Sequence, residues 1–189
     1  MTDAVLSVYA NDRKIPKMKP AHYLWMLLAV ITALGSCKKS DFSHENQFDR
    51  SYQAWLDFKK NSLDSYSYKV SAGSWTGVSA ETVITVKSGK VAGRGYELKN
   101  INRTTNQPYT MTSWKESSDS LNTHAEGAPP LTLDDVYEKA KTQWLLKRKN
   151  VKIYFEADNA GMISSCGYTQ NGCVDDCFQG VHIDYIRPL

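Results

Sequence analysis

The chain has 189 residues, with 23 Lys and Arg against 20 Asp and Glu and a formal net charge of +3. Four of the basic and two of the acidic residues precede Cys37, so the 153 residues from Cys37 to Leu189 carry 19 and 18 and are nearly neutral. That balance, with no Lys/Arg run longer than Lys147-Arg148-Lys149, excludes an electrostatic footprint for nucleic acid. A segment of that length suits one domain, which removes roughly 70% of its unfolded surface from water and needs no metal or disulfide merely to fold.

Basic residues up to Lys19 precede an apolar run from Ala21 to Leu34. The run is shorter than the ~20 residues a spanning helix requires and matches the core of an export signal. Leu34-Gly35-Ser36-Cys37 follows at once and resembles the lipobox of bacterial lipoproteins: an aliphatic residue, two small ones that pass a narrow peptidase site, and a thiol that accepts diacylglycerol. The resemblance implies removal of residues 1–36 and a membrane anchor on Cys37, stable because several acyl chains hold where one is marginal. Lys38 and Lys39 stand where an Asp would signal retention at the inner membrane, so the same resemblance implies the outer membrane. Residues 37–43 then form the lipidated cysteine and a polar tether, and 44–189 a single domain. Met18 is an alternative start, because Asp3 and Asp12 are unusual in a signal's basic region.

In the domain, a first helix is expected from about His44 to Lys60, with Ser43 as N-cap and a stripe of Phe48, Tyr52, Trp55 and Leu56. Tyr66, Tyr68 and Val70 alternate with polar residues and mark a first strand. Gly73 and Gly77 bracket a turn around Trp75. A second strand, Val78 to Lys87, carries Thr82, Ile84 and Val86 on one face. Ser88-Gly89 is a tight turn into a third strand ending near Leu98. Asn100 to Pro130 is the least regular stretch: Tyr109, Met111 and Trp114 suit a further strand, and Ser117 to Pro130 reads as an exposed loop. Thr132 with Asp135 forms a capping-box variant that opens a second helix, whose stripe is Leu133, Val136, Tyr137, Ala140 and Trp144. Three strands follow, around Ile153, around Cys166 and around Ile183. The expected class is α+β: an antiparallel sheet of about six strands with two helices on one face, in the order helix, three strands, loop, helix, three strands.

Three cysteines remain in the domain, Cys166, Cys173 and Cys177. Outside the cytoplasm neighbouring thiols oxidise, so one disulfide and one odd thiol are expected. Cys166–Cys177, Cys166–Cys173 and Cys173–Cys177 all satisfy the spacing. The same three thiols with His182 make a structural zinc ligand set, although the tight Cys-x2-Cys knuckle is missing. Asp175 and Asp176 do not follow a calcium-loop pattern and read as solvated. Cys177, His182 and Asp184 contain the residue types of a nucleophile, a base and an orienting acid, but His182 and Asp184 fall in series on one strand face. No nucleophile elbow, zinc-protease helix or phosphate loop occurs, so an enzyme and a bound cofactor are not expected. Trp75 and Trp114 fall in or beside loops and are candidates for a binding surface.

Five segments together resemble a family of bacterial envelope lipoproteins that carry a domain of unknown function. They are Tyr66-Ser67-Tyr68-Lys69, Thr85-Val86-Lys87-Ser88-Gly89-Lys90-Val91, Leu131-Thr132-Leu133-Asp134-Asp135-Val136-Tyr137, Gly161-Met162-Ile163-Ser164-Ser165-Cys166-Gly167-Tyr168 and Cys173-Val174-Asp175-Asp176-Cys177. The resemblance implies an α+β envelope domain and transfers no catalytic residue. The functional expectation is a binding or interaction module that meets the membrane through its lipid and has another envelope protein as a possible partner. A metal-binding domain and an enzyme with an unrecognised site are the alternatives.

Overall fold

The computed structural model describes residues 41–175 and 177–189. The export signal, Cys37, the choice between Met1 and Met18, residues 38–40 of the tether and Asp176 lie outside the described residues.

Helix α1 spans Glu45–Asn61 and buries Phe48, Ser51 and Trp55. Ser43 is not its cap: His44 occupies that position with φ of 60° and no side-chain capping bond. Its ring instead hydrogen-bonds the Ile153 carbonyl at 3.3 Å and stacks near Phe155. Four strands follow, β1 Tyr66–Gly73, β2 Ser79–Lys87, β3 Lys90–Asn102 and β4 Gln107–Ser117. The β2–β3 turn places Ser88 and Gly89 both at positive φ (48° and 74°), the primed-turn geometry that matches strand twist. A Cβ on Gly89 would also sit 2.6 Å from an Asp64 carboxylate oxygen. Helix α2, Leu133–Lys139, opens with the expected box: Thr132 Oγ1 accepts from the Asp135 amide, and Asp135 accepts from the Thr132 amide. It continues as a π-turn over Ala140–Trp144, closed by the Leu145 amide on the Ala140 carbonyl. Strands β5 Val151–Glu156, β6 Ser165–Gln170 and β7 Gln179–Pro188 complete the chain.

The class is α+β, but the strand count and order differ from expectation. Among the described residues seven strands form one antiparallel sheet in the order β4-β3-β2-β1-β7-β6-β5, and the chain order is helix, four strands, helix, three strands. The additional strand is β4. Its first half is exposed on both faces, so the inside–outside alternation that identifies a strand is absent there, and pairing with β3 along ten positions defines it instead.

Both helices lie on one face, and Tyr66 joins them. Its ring packs edge-on to Trp55 of α1 with centroids 5.0 Å apart, and its hydroxyl accepts from the Leu133 amide at the start of α2 at 2.8 Å. Tyr68 donates to the Leu131 carbonyl at 2.6 Å. Tyr137 donates to the Ser51 carbonyl at 3.0 Å and accepts from the Ile163 amide at 3.1 Å. The Leu133 and Ile163 amides and the Leu131 carbonyl, which no strand or helix pairs, are satisfied by these buried hydroxyls, and burial pushes the Tyr137 phenol up to about 12. The opposite face carries a charge ladder in which Lys69 bridges Glu81 and Asp184, and Lys99 bridges Glu81 and Glu97.

Tyr137→Phe keeps the ring but leaves the Ile163 amide and the Ser51 hydroxyl without the phenol oxygen they share. Urea unfolding is expected to register a loss of about 1–3 kcal/mol.

Candidate functional site

Strand β7 is shared between two neighbours and never pairs with both at one level. Residues Gln179 to His182 pair with β6, and Ile183 to Pro188 pair with β1. Between Lys69 and Val70 the register jumps from Tyr185 to Ile183, leaving Asp184 as a bulge residue. Asp184 is pinned there by the Ser71 hydroxyl at 2.5 Å and the Lys69 ammonium at 3.0 Å, and these bonds hold its carboxyl below the usual range against the effect of its partial burial. Beyond Val70, β1 pairs with β2 alone, so the sheet forks between Ser71–Gly73 and Gln179–His182.

A half-open cleft of about 530 Å³ fills this fork. Tyr68, Val70 and Val181 form its floor, Val136 and Trp144 one wall, and Gly127, Ala128 and Pro129 the roof. The π-turn is what brings Trp144 there, and π-turns concentrate at functional positions. Ala72 and Ala80 are cross-strand partners, and their small side chains leave the space open. Lys139, His182 and Gln179 stand at the rim. Among the described residues, Lys139 and His182 are the only ionisable lining groups apart from two tyrosines, and no carboxylate lines the cleft. A second hollow of about 400 Å³ continues through the fork and shares Ala72, Ala80, Phe178 and His182.

The roof is held from beneath by an ion pair that the sequence did not reveal. Arg94 on β3 and Glu116 on β4 are cross-strand partners facing the covered side, both almost fully buried. Their pairing is bidentate, with Nε and Nη2 each 2.9 Å from a carboxylate oxygen. Arg94 also donates to the Ala128 and His124 carbonyls at 3.0 and 2.8 Å. Glu116 accepts from the Asn122 and His124 amides at 3.0 and 2.8 Å. The Arg94 guanidinium, aided by those amides, holds the Glu116 carboxyl well below the usual carboxylate range despite desolvation. The Ala128 amide donates to Thr82 Oγ1 at 2.9 Å. Gly127, at φ 83°, lies so close that a Cβ would sit 3.0 Å from both Thr82 and Tyr96. The segment expected to be a free loop is thus bolted to the sheet.

The predicted site residues have different fates. Of its two placements, beside a loop or on a further strand, Trp114 takes the strand. It lies on β4 with its ring stacked on His124 at 4.3 Å and on Tyr96 at 5.2 Å, and with the Arg94 guanidinium 4.7 Å away. Trp75 is 84% exposed in the β1–β2 turn. The disulfide is Cys173–Cys177, with Cα atoms 6.3 Å apart, and neither pairing through Cys166 forms. Cys166 is a fully buried free thiol on the core face, opposite Val181, and burial pushes it far above its ordinary range. His182 stands one position on, exposed, with its ring stacked on Phe178 at 4.3 Å. The set Cys166, Cys173, Cys177 and His182 is therefore not assembled into a zinc site, because strand alternation sends Cys166 and His182 to opposite faces and the disulfide takes the other two thiols. The same bond removes Cys177 as a nucleophile beside His182 and Asp184, and Asp184 is committed to Ser71 and Lys69. Gly167 and Gly180, cross-strand partners, leave room for the Phe178 ring, which a Cβ on Gly167 would meet at 2.5 Å.

Comparison with protein-family models, curated proteins and solved structures finds no match, so no residue role comes to this chain from a relative.

Two outcomes follow. In native protein Cys166 is expected to resist a thiol reagent that labels it readily in urea; rapid native labelling would contradict its burial. Arg94→Ala is expected to cost about 3–5 kcal/mol, because it leaves a buried carboxylate unpaired. Because the folded pKa of Glu116 lies below its unfolded value of about 4.3, the pair stabilises the fold above that pH and loses its effect as pH falls further. The difference between the unfolding midpoints of wild type and Glu116→Gln is therefore expected to be full at pH 7 and to narrow progressively as pH falls below about 4.

Proposed function

We propose that this chain is a lipid-anchored protein of the bacterial cell envelope, held at the outer membrane, and that its domain is a binding module whose ligand occupies the fork cleft. The anchor rests on Leu34-Gly35-Ser36-Cys37 and the apolar run before it. The binding reading rests on one observation above the others: the cleft is an apolar, part-enclosed space whose walls are fixed by a buried ion pair, a π-turn and a bulge. Pre-formed concavity with a few placed polar groups is the usual character of a small-molecule site. Its size admits part of a drug-sized molecule. A basic rim with no opposing carboxylate favours an amphiphile with an apolar body and an anionic group near Lys139 and His182.

Among the described residues, no convergent nucleophile, base and oxyanion donor set lines the cleft. The His182 ring stacks on Phe178. Binding without turnover is therefore the reading the geometry favours.

Titration of the purified protein with a long-chain fatty acid, followed by calorimetry, tests it. Ala72→Trp, which fills the space between β1 and β7, is expected to abolish the heat of binding. Lys139→Glu is expected to weaken affinity about tenfold, the equivalent of ~1.4 kcal/mol. Binding that both variants retain would place the ligand elsewhere.

A further inference from the structure

Strand directions place every turn between neighbouring strands of the β4–β1 and β7–β5 halves that points away from the α1 C-terminus on one rim. The β1–β2 turn, the β3–β4 turn, the β6–β7 loop and the start of β5 all lie there, because adjacent strands run antiparallel throughout. Strands β3 and β4 overhang it: β2 stops pairing at Ser79↔Lys99, whereas β3 and β4 continue to Asn102↔Gln107. Five of the eight large apolar side chains that stand exposed among the described residues belong to this rim: Trp75, Ile101, Tyr109, Met111 and Val174. Trp75 is 84% and Val174 98% exposed. The two hairpin tips adjoin, since a Cβ on Gly77 would lie 3.6 Å from the Ile101 side chain.

The chain enters the domain on the same side. The Asp41 carbonyl accepts from the Lys147 amide, and the Ser43 amide donates to the Leu145 carbonyl, just before β5 begins at Val151. Cys37 precedes Asp41 by four residues, which span at most about 14 Å when fully extended.

We propose that this rim is a membrane-docking surface: Trp75, Ile101, Tyr109 and Val174 seat in the interfacial layer of the bilayer that holds the lipid on Cys37. This rests on the anchor proposed above. A tether so short keeps the entry point of the domain within one small-domain radius of the lipid headgroups, and the rim that carries the entry point is the one that presents exposed apolar side chains. Indole and phenol rings favour that layer because it accepts an apolar body and a polar edge together. Arg103 in the β3–β4 turn and the Lys147-Arg148-Lys149 run add positive charge toward phosphate headgroups, while Asp175 on the disulfide loop opposes it. Seating the rim orients the sheet across the membrane plane and turns the mouth of the fork, between Gly73 and Gln179, toward the bilayer.

The test uses the mature acylated protein, purified in detergent and incorporated into vesicles of phosphatidylethanolamine and phosphatidylglycerol with or without bromine on the upper acyl carbons. Four tryptophans follow Cys37: Trp55, Trp75, Trp114 and Trp144. Brominated lipid is expected to quench wild-type emission by about the share of one indole and to leave Trp75→Phe unquenched. Because Trp75 makes few contacts, both proteins are expected to unfold at the same urea concentration. Acylated protein that stays on the vesicles without quenching, or equal quenching in Trp75→Phe, overturns the docking surface and spares the anchor. A chain whose mass shows no diacylglycerol and that leaves the vesicles overturns the anchor and the surface with it. A photo-crosslinker at position 75 that captures a protein rather than lipid in intact cells assigns the rim to a protein partner and likewise overturns the proposal.

Discussion

Strand β7 divides its hydrogen bonds between two neighbours, giving its first half to β6 and its second to β1. A continuous sheet would have closed the space between Ser71–Gly73 and Gln179–His182. The bulge at Asp184 prevents that closure, because one extra residue re-aims the strand and increases the local twist. Ser71 and Lys69 hold the Asp184 carboxylate at the surface. The cleft is thus a consequence of backbone pairing, and the side chains lining it furnish an existing gap.

Two kinds of buried polar contact keep that gap from collapsing. Tyrosine hydroxyls on Tyr66, Tyr68 and Tyr137 reach backbone groups at the entry to α2 and before β6, and so set the height of the helical layer over the sheet. Arg94 and Glu116 hold the roof loop from below. A buried ion pair is a weak source of net stability when weighed against an apolar replacement. Its value here is positional: guanidinium and carboxylate between them bind four backbone groups of one loop, a task for which an apolar pair has no means.

Much of the architecture was legible in the residue pattern. The alternation of Tyr66, Tyr68 and Val70, the Ser88-Gly89 turn and the Thr132–Asp135 box each act over a few residues, and each appears as read. Tyr109, Met111 and Trp114 suggest β4, but a strand exposed on both faces has no burial pattern to display, so a count of about six strands omits it. Ser43 was a reasonable cap by residue type, but the ring of His44 found a partner on β5, more than a hundred positions away. Arg94 and Glu116 look like surface residues in sequence, since nothing local announces that a later loop will cover them.

The sequence by itself determined the local events: where strands turn, where α2 starts and which aromatic residues of α1 and β1 enter the core. Only the tertiary structure decided which thiols meet, that Cys166 and His182 face opposite sides of the sheet, that the sheet forks at β7 and that exposed apolar tips gather on one rim. The physical reason is range. Caps, turns and periodicity depend on neighbours along the chain, whereas pairing register and the burial of a charge depend on segments that sequence distance leaves unrelated until the sheet brings them together.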